Sequence, residues 1–363
     1  MSFATKVSDN HWHGEKVRFP TRGNLASIVL SSPLQHVALP NDPTRFPDWG
    51  YRGDAIADHR PAVVHAGTGA TLTRGRLRHD ALRISRSIDQ LTDRRAPVFT
   101  GEGKAIWSPE STVVIHIPNC MAYIVSILGI TGAKCSASLL STALQVPELA
   151  YVLARLRPQV IITTKGRSQG EGRIRLAIQS LVDRSVEIDT GLVPKEEVQR
   201  WARQMAADWD LSERCATVQT GDLPPFRSQR IWLVDLAKGA DYYGTGLNAS
   251  GIPAATLDKR DWINLLRPPP GHPHANSSEP DSLQRLPFAV QEMNKEELQR
   301  RVAIILWSSG TTGKSKGVLI SHQAIISEAI GLALTRSYVP TSKGKWGGGE
   351  RWVALAPWFH VYG

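Results

Sequence analysis

Apolar residues along this chain fall into two alternating rhythms. Val113 to Ile117, Cys135 to Leu140, Val160 to Thr163, Ile231 to Asp235 and Val302 to Trp307 are short runs with little polar interruption, the pattern of buried strands. Between them lie stretches with helical spacing. Asn119 is placed to cap a helix reaching about Ile130, and Pro147 suits the first turn of a helix ending near Leu156. Glu196 to Asp208 has helical periodicity. Ser321 reads as the N-cap of a helix to about Leu334, with an apolar stripe of Ile325, Ile326, Ala329, Ile330 and Ala333. Further upstream, Ala62 to Val64 precedes Thr71 to Thr73 and another helix. Strands alternating with helices predict an α/β fold, mostly parallel sheet flanked by helices.

Other parts of the chain lack either rhythm. Residues 1–35 read as a disordered or irregular lead-in. The stretch from about 166 to 230 is helical and charged, and 266–285 is rich in Pro, Ser, His and Asn, the composition of a loop. His272 and His274 lie in that loop with no third candidate ligand nearby, so a metal site is not expected there. There is no internal repeat.

The chain has 363 residues, 41% of them hydrophobic, enough apolar material for a substantial core. Its formal net charge of +10 raises the question of nucleic acid. The basic residues are scattered, and the five arginines between Arg74 and Arg86 take varied helix angles with little aromatic interleaving. A solvated surface is therefore expected there, with no nucleic-acid partner, and the sign suits anionic substrates. Cys120, Cys135 and Cys215 show no metal spacing and read as reduced thiols. No apolar run is long enough to span a membrane, and the N-terminus lacks an apolar signal core. The expected location is cytoplasmic; a peroxisomal address could be read only at a true C-terminus.

The richest chemistry lies in Ser308-Ser309-Gly310-Thr311-Thr312-Gly313-Lys314-Ser315-Lys316-Gly317-Val318. Glycine lets backbone N–H groups approach a ligand without a side chain between. Successive N–H groups in such a turn form an anion-binding concavity, and the hydroxyls and ammonium groups add donors and positive charge. A polyphosphate is the natural guest. Gly313-Lys314-Ser315 matches the end of a P-loop, but Ser308 stands where that pattern needs glycine. A P-loop also opens directly into a helix. Here Val318-Leu319-Ile320 reads as a strand first, so the expected order is strand, loop, strand, helix, with the loop in a hairpin.

From Trp307 to Val318 the sequence resembles the phosphate-loop signature of adenylate-forming enzymes: acyl- and aryl-CoA synthetases, luciferases and peptide-synthetase adenylation domains. Ala356-Pro357-Trp358-Phe359-His360-Val361-Tyr362-Gly363 is similar to the family segment whose histidine stands between nucleotide and acyl pocket, in a form close to coumarate–CoA ligases. Val113 to Thr163 resembles the family's first α/β unit, and Pro61 to Leu91 matches more weakly. Ser315 stands where the family usually has proline.

The resemblance implies ATP-dependent activation of a carboxylic acid to an acyl-adenylate, then transfer to CoA or another thiol. It implies that Ser308, Ser309, Gly310, Thr311, Thr312 and Gly313 wrap the outer phosphates. Lys316 and Lys314 would offset their charge, Thr312 would stand at Mg²⁺, and His360 would orient the carboxylate. Residues 36–363 would then form part of a large N-terminal lobe, with an insertion around 166–290. The family elements that follow the histidine segment, the small C-terminal lobe among them, have no counterpart before Gly363, so the resemblance implies a truncated enzyme, weakly active or inactive as this chain. The readings kept beside this one are a non-catalytic ATP-binding fragment, a peptide-synthetase-type domain and a P-loop NTPase.

Overall fold

The computed structural model describes residues 4–8, 11–14, 24–26, 58–92, 107–108, 111–166, 169–184, 193–217, 229–238, 258–267, 293–308, 314–337 and 356–360. Two small antiparallel hairpins come first, β1 (Ala4–Ser8) with β2 (His11–Gly14) and β3 (Pro61–Val64) with β4 (Thr71–Thr73). Helix α1 (Arg74–Leu91) follows, its first turn capped by the Thr73 hydroxyl, which accepts from Arg76 N–H at 3.3 Å. The central elements are β5 (Thr112–His116), α2 (Met121–Gly132), β6 (Ser136–Leu139), α3 (Val146–Leu156) and β7 (Val160–Thr164). Helices α4 (Glu171–Val182) and α5 (Lys195–Thr217) lead to β8 (Ile231–Val234). After a 3-10 turn at Trp262–Leu266 come α6 (Lys295–Arg300), β9 (Val302–Ser308), β10 (Lys316–Ser321) and α7 (His322–Ser337).

Six strands form one sheet in the order β10-β9-β6-β5-β7-β8. All its pairings are parallel except β10 on β9. Every residue of β5, β6, β7 and β8 is buried, as expected of strands covered on both faces. Side chains alternate between two cores. Val113, Ile115, Val160, Ile162, Trp232 and Val234 face α1, α2 and the Trp262–Leu266 turn, whereas Val114, Ile161, Ile231 and Leu233 face α3, α4 and α5. This period of two is the physical content of the unbroken apolar runs.

Helix α1 corrects one expectation. Its arginines do not form a solvated face: Arg83 and Arg86 are buried. Asp80, fully buried, accepts from Arg76 Nε at 2.9 Å and from Arg83 Nη1 at 3.0 Å. Burial raises the Asp80 carboxyl above its usual range while the two arginines oppose the rise. A paired carboxylate is what allows guanidinium groups so close to a core. Asn119 corrects another. The N-cap of α2 is Cys120, without a side-chain cap bond, because the Asn119 carboxamide is engaged elsewhere.

Helices α1 and α2 touch through Gly129. A Cβ there would overlap Ile84 and press on the Ala81 carbonyl. Alanine in a helix gains about 1 kcal/mol over glycine, but overpacking costs about 1–3 kcal/mol. Gly129→Ala should therefore lower stability, by up to about 2 kcal/mol, read as a fall in the urea midpoint. An unchanged or raised midpoint would mean that α1 and α2 stand further apart than described.

His322, fully buried at the start of α7, accepts from the Leu25 N–H on Nδ1 at 3.0 Å, and its backbone N–H donates to Arg301 O at 3.2 Å. It thereby ties residues 24–26 to the end of the sheet. Burial, helped by Arg301 and Lys134, lowers its pKa to about 3. In the unfolded chain the same group titrates near 6.5. The folded state resists the proton, so the contribution is complete above about pH 6.5 and is lost as pH falls toward about 3, by roughly 1.4 kcal/mol per pH unit. His322→Gln should flatten the loss of denaturation free energy between pH 7 and pH 5 by up to ~2 kcal/mol. Equal losses in both proteins would refute the assignment.

Candidate functional site

Parallel strands deliver their following loops to one edge of a sheet, and here the chemistry-bearing segments gather at that edge. Helix α2 leaves β5 toward one core and α3 leaves β6 toward the other. Two adjacent strands whose exits diverge leave a crevice beyond their carboxyl ends, the place where open α/β sheets bind ligands. The residues around this crevice come from the β5–α2 connection, the β6–α3 connection and the end of β9.

The β9 contribution is the root of the glycine-rich loop. Ser308 pairs with Lys316, Trp307 with Gly317 and Leu306 with Val318 in antiparallel register. The Ser308 hydroxyl donates to the Lys316 carbonyl at 3.4 Å. The loop is therefore a hairpin connection, and the P-loop order, in which a helix begins at about Lys314, is excluded: β10 comes first, and α7 starts at His322 after the Ser321 hydroxyl accepts from Ala324 N–H at 3.2 Å. Ser308, Lys314 and Lys316 are exposed. Lys316 has no ion-pair partner among the described residues. Ser309, Gly310, Thr311, Thr312 and Gly313 lie outside the described residues.

Beneath the hairpin, the Trp307 indole donates to the Ser138 hydroxyl of β6 at 3.0 Å. Its ring lies 3.4 Å from where a Cβ on Gly317 would stand. The hairpin root is thus held sideways to the next strand and covered by a flat ring.

The segment 356–360 reaches the same edge from the other side of β6. Asn119, just beyond β5, donates from Nδ2 to Ala356 O at 3.0 Å and accepts on Oδ1 from Trp358 N–H at 2.8 Å. Trp358 meets Tyr123 edge to face, ring centroids 5.5 Å apart at 70°. Trp358 and Phe359 rest on the core formed with α1 and α2. The segment closes in a turn, His360 N–H donating to Pro357 O at 2.9 Å, and His360 itself is exposed. Strands β9 and β5 have only β6 between them, so the strand that roots the hairpin and the strand that leads to Asn119 stand about 10 Å apart at strand spacing. Residues 351–355 and 361–363 lie outside the described residues.

Two residues at this edge were not singled out by sequence. His116, the last residue of β5, is fully buried and bonds the Thr163 hydroxyl through Nδ1 at 3.1 Å. Burial, with the Arg173 charge, lowers its pKa to about 4, so it is neutral at pH 7. Arg173 holds the β6–α3 connection by donating to Thr142 O at 2.8 Å and Leu144 O at 3.0 Å. A histidine inside an apolar run carries no functional signal. Asn119 did carry one, but a polar residue before a helix reads first as a cap.

Among the described residues no helix is long and apolar enough to cross a membrane, and no cluster of three or more His, Cys, Asp or Glu is placed to hold a metal. A stretch of 92 residues is 36% identical to the peroxisomal OPC-8:0-CoA ligase 1 of Arabidopsis thaliana, covering 23% of this chain and 16% of that protein. Among solved structures, a red-emitting luciferase from Phrixothrix hirtus aligns with 87% of this chain and 39% of its own, at 14% identity and a TM-score of 0.44. An ATP-bound MatB from Rhodopseudomonas palustris aligns with 77% of this chain and 35% of its own, at 15% identity and a TM-score of 0.40. The chain thus spans well under half the length of these relatives. The profile of the AMP-binding enzyme family matches residues 58–363, and the chain belongs to that family of adenylate-forming enzymes.

Proposed function

We propose that this chain carries part of an acid–thiol ligase of the acyl- or aryl-CoA synthetase type. In the first half-reaction a substrate carboxylate oxygen bonds the α-phosphorus of ATP. The bond from that phosphorus to the oxygen bridging the β-phosphorus breaks, and pyrophosphate leaves. In the second, a thiolate bonds the acyl carbon and AMP departs. CoA is the proposed thiol, supported by the partial similarity to a plant CoA ligase. Residues 36–363 would belong to the large lobe of such an enzyme, with an insertion around 166–290.

The observation that carries this reading is the hairpin root. Pairing of Ser308 with Lys316 leaves residues 309–315 as the connection at the carboxyl edge of the sheet. Polyphosphate would be wrapped by Ser308, Ser309, Gly310, Thr311, Thr312 and Gly313, with Lys316, exposed and without an ion-pair partner among the described residues, set beside them. Lys314 would add a second cation. His360, on the other side of β6, would orient the carboxylate toward the α-phosphate. Catalysis of this kind is mostly positioning and charge stabilisation. A Mg²⁺ ion would supply further charge neutralisation on the phosphates. Thr312, the residue assigned to it, lies outside the described residues.

Carboxylate-dependent exchange of labelled pyrophosphate into ATP tests the proposal, over a panel of fatty and aromatic acids. Weak exchange above the no-acid background is expected with at least one class. Lys316→Ala should lower it by about 10²-fold, the usual loss for one preorganised charge, with Lys314→Ala less damaging. Nucleotide binding without exchange would favour a non-catalytic fragment. A greater loss at Lys314 than at Lys316 would overturn the assignment of the loop.

A further inference from the structure

We propose that Asn119 is the positioning residue for the histidine segment. This rests on the reading of His360 as the group that orients the carboxylate. The Asn119 carboxamide contacts the segment at two points, donating to Ala356 O at 3.0 Å and accepting from Trp358 N–H at 2.8 Å. These two groups lie on either side of Pro357. A residue of a parallel strand bonds its neighbour in the same way, through the carbonyl before and the N–H after the residue opposite. Pro357 has no N–H of its own, so the clamp leaves no donor unanswered at that position.

The chemistry selects asparagine. Only a primary amide offers one donor and one acceptor side by side at this length. Aspartate keeps the acceptor for Trp358 but sets a second acceptor against the Ala356 carbonyl. Glutamine carries the same head group one methylene further out. Ile117 and Pro118 link Asn119 to β5, and the half-buried Cys120 leads into α2, whose first residues Met121, Ala122 and Tyr123 are buried. The clamp is thus fixed to the most buried part of the sheet, while its far side holds an exposed segment.

Both hydrogen bonds are exposed to solvent, and such bonds add little net stability. The value of the clamp is geometric. The turn from Pro357 to His360 begins at the clamped residues, so a shift there is carried directly to the His360 side chain three positions on. The Tyr123–Trp358 contact and the Trp358 and Phe359 packing keep the segment near the core, but packing alone leaves it free to slide.

The test uses the full chain carrying Asn119→Ala or Asn119→Asp, with two readouts. The first is amide hydrogen exchange over 356–360 compared with β5. The second is carboxylate-dependent pyrophosphate exchange, with separate KM values for acid and ATP. In Asn119→Ala, exchange at 356–360 should accelerate while β5 and the Tm stay at the parent values. The kcat/KM for the acid should fall by about 10- to 10²-fold, the scale of a small misplacement of a reacting group, with KM for ATP unchanged. Asn119→Asp should recover as pH falls toward the aspartate pKa, because the protonated carboxyl can again donate to Ala356 O. Parent-like exchange at 356–360 in Asn119→Ala would overturn the proposal, as would an equal rise in both KM values together with a lowered Tm. If the parent chain supports no pyrophosphate exchange with any acid, the ligase reading falls. The amide exchange then still decides whether Asn119 holds the segment.

Discussion

Between Ser308 and Lys316 the chain reverses direction, and the pairing of these two residues fixes where the reversal points. Strand β9 is bound to β6 in parallel register, Ile304 against Ala137 and Leu306 against Leu139. Its carboxyl end is therefore set by the core. A strand added antiparallel to it has to begin at that same edge. Ser308 and Lys316, the paired ends of the reversal, therefore stand at that edge, beside the loops that follow β5 and β6. β10 itself is an edge strand: the successive residues Val318 and Leu319 are 49% and 44% exposed, so neither of its faces is fully covered. Lys316 at its start, with β9 as the one strand paired to it among the described residues, fits a strand whose task is to return the chain rather than to build core.

The crevice and the hairpin have a common cause. Because β6 has β5 on one side and β9 on the other, the loop after β6 lies between the Asn119 connection and the hairpin root. Arg173 fixes that loop by binding two of its carbonyls, and Trp307 binds β6 through Ser138. The edge is therefore braced by side chains that span from one strand or connection to the next. The groups proposed to face the ligand (the Ser308 hydroxyl, the Lys316 ammonium and the His360 imidazole) belong to exposed residues, while Trp307 beneath the hairpin root reaches the buried strand β6. An exposed group that is free to adjust gains its accuracy only from what lies beneath it.

Much of this was legible in the residues. Valine and isoleucine runs placed β5, β7, β8 and β9 to within a residue or two. The strand-like Val318-Leu319-Ile320 ahead of Ser321 was enough to separate a hairpin from a P-loop. Charge and contact across the chain were less legible. Arg83 and Arg86 read as solvated because sequence shows charge and not the buried Asp80 between Arg76 and Arg83. Asn119 read as a cap because the local alternative is visible in sequence and a partner 237 residues away is not. His116 was silent for a similar reason: its neighbour Thr163 comes alongside only through the parallel pairing of β5 and β7.

Next to Asn119 stands Cys120, a thiol at the same edge and so a candidate acyl acceptor within the chain. Its environment argues against that role. Burial raises its pKa to about 11, more than the nearby backbone donors lower it. At pH 7 only about one thiol in 10⁴ would be ionised, and the thiolate is the reacting form. A transfer step relying on Cys120 would begin with a penalty of that size. An external thiol ionises in water and meets no such burial cost, so if the bound acyl group leaves as a thioester, an incoming thiol is favoured over this one.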